Sequence, residues 1–165
     1  MEKTKIDKST LVNVVAIVLS VLACVISLYE ANIMSAQQKA LVWPHLRLDD
    51  NFNANGYSVV ASNNGVGPCI INSMEVVYHG KPIDSYNNLL SQLNKNQVIG
   101  YENIKINKLN NTVLKNGEER LLFQIALNDS TQHIVNELRK LNYKIQYASV
   151  LDEYWLYDKK KAMVT

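Results

Sequence analysis

Leu11 to Tyr29 reads LVNVVAIVLSVLACVISLY, nineteen residues with no charge, no proline and no glycine. At about 1.5 Å rise per residue, such a run held as a helix is just long enough to cross a hydrocarbon core of about 30 Å. A helix buried in a water-soluble protein rarely has apolar residues on every face, and this one nearly does. A cleaved signal peptide needs a small-x-small site after the apolar run, which Tyr29-Glu30-Ala31 does not supply. Val21-Leu22-Ala23-Cys24 has the order of a lipoprotein signal. There, however, Val25, Ile26 and Leu28 continue the apolar run where a polar tether would start. The segment therefore reads as a retained transmembrane helix over 10–29, behind an N-terminal flank at 1–9.

Within that span Asn13, Ala16, Ser20, Ala23 and Ser27 are spaced three, four, three and four residues apart. The alternation puts all five on one stripe, the seam of a left-handed helix pair or bundle. Small side chains let two backbones approach, and Asn and Ser can hydrogen-bond across the contact where lipid cannot satisfy them. The span is thus expected to drive homo-oligomerisation. Lys3, Lys5 and Lys8 precede it, against Lys39 and Arg47 in the twenty or so residues that follow. This bias places the N-terminus in the cytoplasm and the following domain outside. Beyond the span, EANIMSAQQK (residues 30–39) keeps good helix formers as far as Trp43-Pro44, so a helical stalk is expected at 30–41.

From Leu41 the period changes to that of strands. Val42 to Leu48 alternates, with Pro44 near the start, and Asp49 to Gly56 is rich in Asn and Asp and reads as a turn. Tyr57–Ser62 and Cys69–Tyr78 read as strands on either side of the breaker run Asn63-Asn64-Gly65-Val66-Gly67-Pro68. His79-Gly80-Lys81-Pro82 closes the second of them. Ser85 to Leu93 has Tyr86, Leu89, Leu90 and Leu93 at helical spacing behind an Asp84 or Ser85 cap, and Ser130 to Leu141 repeats that pattern. Strands are further expected at Val98–Ile106, Arg120–Leu127 (after the Asn116-Gly117 turn), Tyr143–Val150 and Tyr154–Tyr157. Seven or eight short strands with two helical insertions predict a mainly β, immunoglobulin-like sandwich-type domain over 42–158, followed by a tail at 159–165.

Composition narrows the function classes. A net charge of +2 with dispersed Lys and Arg argues against nucleic acid as the partner. Lys159-Lys160-Lys161 is the one dense basic run, and its place near the C-terminus reads as a solvated tail. Cys24 and Cys69 lie in different environments and form no disulfide framework; Cys69 reads as a small buried apolar residue. His45, His79 and His133 are isolated from metal-ligand partners, Gly65-x-Gly67 lacks the third glycine of a phosphate loop, and there is no nucleophile elbow. The sequence thus predicts no catalytic, cofactor or metal site. Asp152, Glu153, Tyr154 and Trp155 are a candidate recognition patch; alternate residues of a strand point to opposite faces, however, and the other reading, a solvated turn, is favoured. The aromatics Trp43, Tyr147, Tyr154, Trp155 and Tyr157 are expected to meet in one sheet and form its core.

Trp43-Pro44 after the anchor, the Asn63-x-Gly65-x-Gly67-Pro68 turn leading into Ile70-Ile71, Gly80-Lys81-Pro82-Ile83 and Asp152-Glu153-x-Trp155 together carry a resemblance. They resemble a group of small bacterial single-pass membrane-anchored proteins of uncharacterised function with a β-rich soluble domain. The resemblance covers most of the chain and implies an anchor plus a β domain, with no catalytic residues to carry over. The expected function is a non-enzymatic, membrane-anchored binding protein of the bacterial inner membrane whose β domain meets a protein partner or a small ligand. Two further readings stand beside it. One is an oligomeric membrane effector of a defence or toxin system, gated by a ligand on the domain. The other is an accessory subunit of a larger envelope complex.

Overall fold

The computed structural model describes residues 7–54, 56–94, 104–128 and 131–162. The expectations for residues 1–6, for 98–103 of the strand read at Val98–Ile106, for a Ser130 cap and for 163–165 of the tail lie outside the described residues. The chain divides into two compact units, Met1–Ala40 and Leu41–Thr165. The first contains α1 (Lys8–Leu41), an unbroken 34-residue helix with no buried residue. Its most apolar window has a mean hydropathy of 2.8, long and apolar enough to cross a membrane.

The second unit holds nine strands and three short helices among the described residues: β1 (Leu46–Asn53), β2 (Gly56–Asn63), β3 (Cys69–Tyr78), β4 (Lys81–Pro82), α2 (Tyr86–Leu93), β5 (Ile104–Ile106), β6 (Thr112–Leu114), β7 (Glu119–Ala126), α3 (Gln132–Leu138), β8 (Asn142–Ala148), β9 (Tyr154–Asp158) and α4 (Lys159–Ala162). They make two antiparallel sheets, one in the order β1-β2-β7-β5 and the other β4-β3-β8-β9. In the second sheet β6 also pairs with the first residues of β3. Alternation along the strands gives each sheet a buried face. Tyr57, Val59 and Ala61 of β2, Ile71 and Val76 of β3, Phe123 and Ile125 of β7, and Tyr143, Ile145 and Tyr147 of β8 join one hydrophobic cluster. Leu89 and Leu90 of α2 and Ile134, Val135 and Leu138 of α3 complete it.

Several elements differ from the pattern read in the sequence. The first strand starts at Leu46, leaving Val42 to His45 irregular, and runs through Asp49 to Asn53 where a turn was expected. That polar stretch is a strand because every residue from Leu46 to Asn53 finds a partner on β2, and β1 is an edge strand whose outer residues face water. β6, which the sequence did not announce, is three residues long and held by its pairing with Cys69–Ile71. The second of the short helices ends at Leu138 rather than Leu141. Ser85 caps α2, its hydroxyl accepting from the Asn87 N–H at 3.1 Å.

The breaker run between β2 and β3 is organised by one side chain. Asn63 is fully buried, and its Nδ2 donates to the carbonyls of Gly67 at 2.8 Å and Leu114 at 3.0 Å. Its Oδ1 accepts from Gly65 N at 3.0 Å and His45 N at 3.2 Å. The Asn63 carbonyl takes the Gly117 N–H, and the Asn63 N–H goes to Glu118 O. Val66 N and Gly67 N both donate to Trp43 O, so the entry segment lies directly on the turn. The two glycines are demanded by that contact. A Cβ on Gly65 would strike the backbone of Trp43, Pro44 and His45, and one on Gly67 would strike Val42.

This geometry sets an expected outcome. Asn63→Asp is nearly isosteric but exchanges a donor for a buried carboxylate oxygen against the Gly67 and Leu114 carbonyls. It should lower stability by about 3 kcal/mol or more. Gly67→Ala should also destabilise, whereas Asn64→Ala, at an exposed neighbour, should change the melting temperature little. Equal melting temperatures for Asn63→Asp and Asn64→Ala would contradict the assignment.

Candidate functional site

The residues singled out in the sequence fall into two places. On α1, Asn13, Ala16, Ser20, Ala23 and Ser27 occupy an arc of about 80° at about 100° per residue. The Ser20 hydroxyl donates to Ala16 O within the helix at 2.8 Å. It keeps lone pairs for a neighbouring helix but no proton.

Asp152, Glu153, Tyr154 and Trp155 lie at the β8–β9 turn, and the structure parts them. Ser149 organises the turn: its N–H reaches Glu153 O at 2.9 Å, and its Oγ accepts from Leu151 N at 3.1 Å. Asp152 takes a left-handed conformation with φ +56°, which a short Asp side chain tolerates. Along β9 the side chains alternate. Trp155 turns inward and stacks on Tyr147 with centroids 5.6 Å apart, while Tyr154 and Leu156 face outward, 68% and 60% exposed. The aromatic residues therefore do not all meet in the core. Tyr147, Trp155 and Tyr157 pack in or against it, whereas Tyr154 and Trp43 stay at the surface.

Tyr147 and Tyr157 present their hydroxyls to the backbone of Leu46 and Leu48 on β1. The strand pairs with β2 alone, so these contacts occupy part of its open edge. Between β1 and β9 runs a groove of about 740 Å³ with Arg47, Lys159 and Lys161 set against Asp49, Asp50 and Asp158.

The polar centre that sequence reading missed lies at the inner end of this groove. Lys159 is only 3% exposed, and its Nζ sits 2.6 Å from Asp50 Oδ2 and 5.4 Å from the centre of the Tyr143 ring. The residue expected in a solvated tail is thus an anchor of the fold: its four-carbon stem lies in the core edge and its charge meets a carboxylate on the other sheet. The Tyr143 and Tyr86 hydroxyls share a 3.3 Å hydrogen bond, and Tyr86 stacks on Phe123 at 5.1 Å. Among the described residues the buried Tyr57 hydroxyl has no partner at hydrogen-bonding geometry, although Asp50 is close enough to oppose its ionisation.

Burial sets the acid–base behaviour of these groups. It pushes Tyr86 and the Cys69 thiol each up to about 12. Tyr57 and Tyr143 are raised further, again chiefly by burial. Among the described residues no group of three His, Cys, Asp or Glu side chains could hold a metal ion. No protein family, curated protein or solved structure matches the chain.

The raised values carry a sign. Each group is held protonated by the fold, so its contribution to stability is complete below its unfolded value, about 9.0 for Cys and 10.0 for Tyr, and is lost as pH climbs towards the folded value. The melting temperature should therefore fall steeply above about pH 10. Of the nine tyrosines, Tyr57, Tyr86 and Tyr143 should give tyrosinate absorbance only as the domain unfolds. Titration of all nine near the ordinary value with the fold intact would contradict the buried cluster.

Proposed function

We propose that the protein is a non-enzymatic, single-pass membrane-anchored binding protein that self-associates through α1 and presents its β domain to a partner or ligand. The observation that carries this reading is the surface of α1. Its large apolar residues from Leu11 to Leu28 are 49–69% exposed, and the best window is 0% buried. A water-soluble chain rarely tolerates an apolar surface of that extent, and a soluble core helix would be covered. A bilayer accounts for it, with the Asn13–Ser27 stripe turned towards a second copy.

The domain is best understood as an immunoglobulin-like sandwich. The sheet orders β1-β2-β7-β5 and β4-β3-β8-β9 follow the A-B-E-D and C′-C-F-G orders of that fold, with α2 and α3 as insertions in the connections. A recognition role for such a domain is an argument by analogy of fold. The Lys and Arg bias across the span supports an inner-membrane placement with the N-terminus in the cytoplasm and the domain outside.

Two measurements test the proposal. In a Cys24→Ala background, Ser20→Cys should crosslink two copies in membranes. Val18→Cys, about 180° round the helix, should not. Equal crosslinking at both positions would remove the seam. For orientation, single cysteines at the exposed positions Asn88 and Asn116 should react with a membrane-impermeant thiol reagent in intact cells, with the buried Cys69 silent. Protection until the inner membrane is opened would place the domain in the cytosol and favour the ligand-gated effector.

A further inference from the structure

The hollow where the β3–β4 turn meets the end of α3 and the start of α4 is basic in a way the chain as a whole is not. It encloses about 600 Å³, and its lining includes Arg139, Lys140, Lys159, Lys160 and His79, with no Asp or Glu among the described residues. The full chain carries 17 Lys and Arg against 15 Asp and Glu, so a wall of four cations without a carboxylate is a marked local concentration. The β1–β9 groove, by comparison, balances three cations against three carboxylates.

The fold builds this wall from distant parts of the chain. His79 and Gly80, at φ +47° and +81°, form a two-residue turn with both residues left-handed, closed by the Tyr78–Lys81 pair. Gly80 opens onto free space, since a Cβ there would meet nothing within 4 Å. Asn142 fixes the opposite side: its Oδ1 accepts from Lys160 N at 2.9 Å, and its Nδ2 donates to Asp158 Oδ1 at 2.9 Å. Lys159, anchored on Asp50, holds α4 against the domain and so positions Lys160 at the rim.

Charge pairing then decides which groups remain for a ligand. Lys159 is matched by Asp50, and Lys140 by Glu137 at 2.6 Å. Glu137 also accepts from the Tyr78 hydroxyl and lies 3.9 Å from His79. Arg139 and Lys160 pair with no carboxylate among the described residues. Arg139 lies over the Phe52 ring at 5.9 Å, a contact that orients the guanidinium without neutralising it. An arginine fork and an ammonium lining one hollow suit a tetrahedral oxyanion, and the volume lies in the usual range for small-molecule sites.

We propose that this hollow is a binding site for a phosphate-bearing anion, held by Arg139 and Lys160 with Lys140 and His79 at its margin. The proposal names a ligand class for the β domain and rests on reading that domain as a binding module. The test uses the full chain in neutral detergent micelles. Inorganic pyrophosphate is titrated calorimetrically in one arm, and phosphatidylglycerol is doped into the micelles as a competitor in the other.

Pyrophosphate should bind, and Arg139→Gln with Lys160→Gln should weaken it at least about tenfold while leaving the melting temperature unchanged. Lys115→Gln, away from the hollow, should bind as the parent does. Competition by phosphatidylglycerol that the double substitution abolishes would identify a lipid headgroup as the phosphate source and support the same site. No binding of either probe, or binding unaltered by the double substitution, would overturn the site. Either negative result leaves the anchor and its self-association standing, because the crosslinking at Ser20 does not depend on it.

Discussion

The Asn63 carboxamide is the constraint on which the β domain depends. Four backbone segments have to meet where the chain enters the domain: the entry segment at 43–45, the turn at 63–67, the end of β6 and the start of β7. Each brings polar backbone groups into a buried site, and unpaired groups there would be expensive. One buried amide, with two donors and one acceptor oxygen, satisfies groups from most of these segments at once, and its own backbone pairs with the rest. Gly65 and Gly67 belong to the same device, since the entry segment approaches the turn too closely for a Cβ.

A second buried polar contact ties the far end of the chain to the same body. Lys159 and Asp50 are 109 positions apart in sequence, yet form a 2.6 Å ion pair joining α4 to the edge strand of the first sheet. A buried ion pair gives little net stability, but it is selective, because either partner alone would be left charged in a poorly solvated place. Its structural consequence is local. It fixes α4 beside Asn142, and Lys160 thereby lines the same basic hollow as Arg139.

What could be read from the sequence was whatever is encoded locally. The apolar run at 11–29, the bounds of β3 at Cys69 and Tyr78, the Ser85 cap and the apolar strand β7 each declare themselves within a window of ten to twenty residues. Asp49 to Asn53 did not, because its strand character comes from pairing with β2 rather than from its own composition. β6 was invisible for the same reason. The glycine-rich turn was legible as a turn but not as a hub, since the partners of the Asn63 side chain lie up to 52 positions away. Lys159 looked like one of three equivalent basic residues, and only its meeting with Asp50 and Tyr143 separates it from Lys160 and Lys161. The alternation expected at 152–155 was legible, and Tyr154 and Trp155 do take opposite faces of β9.

The functional account stands on α1 being an integral membrane segment, since the exposed apolar surface, the Asn13–Ser27 stripe and the display of the domain all acquire a role only in that setting. Extraction of native membranes tests this most directly. After washing with high salt and then alkaline carbonate, the chain should stay in the membrane pellet and be released only by detergent, with the apolar segment from Leu11 to Tyr29 still attached to the β domain. Release into the carbonate supernatant, or a mass showing that residues up to about Tyr29 have been removed, would contradict the account.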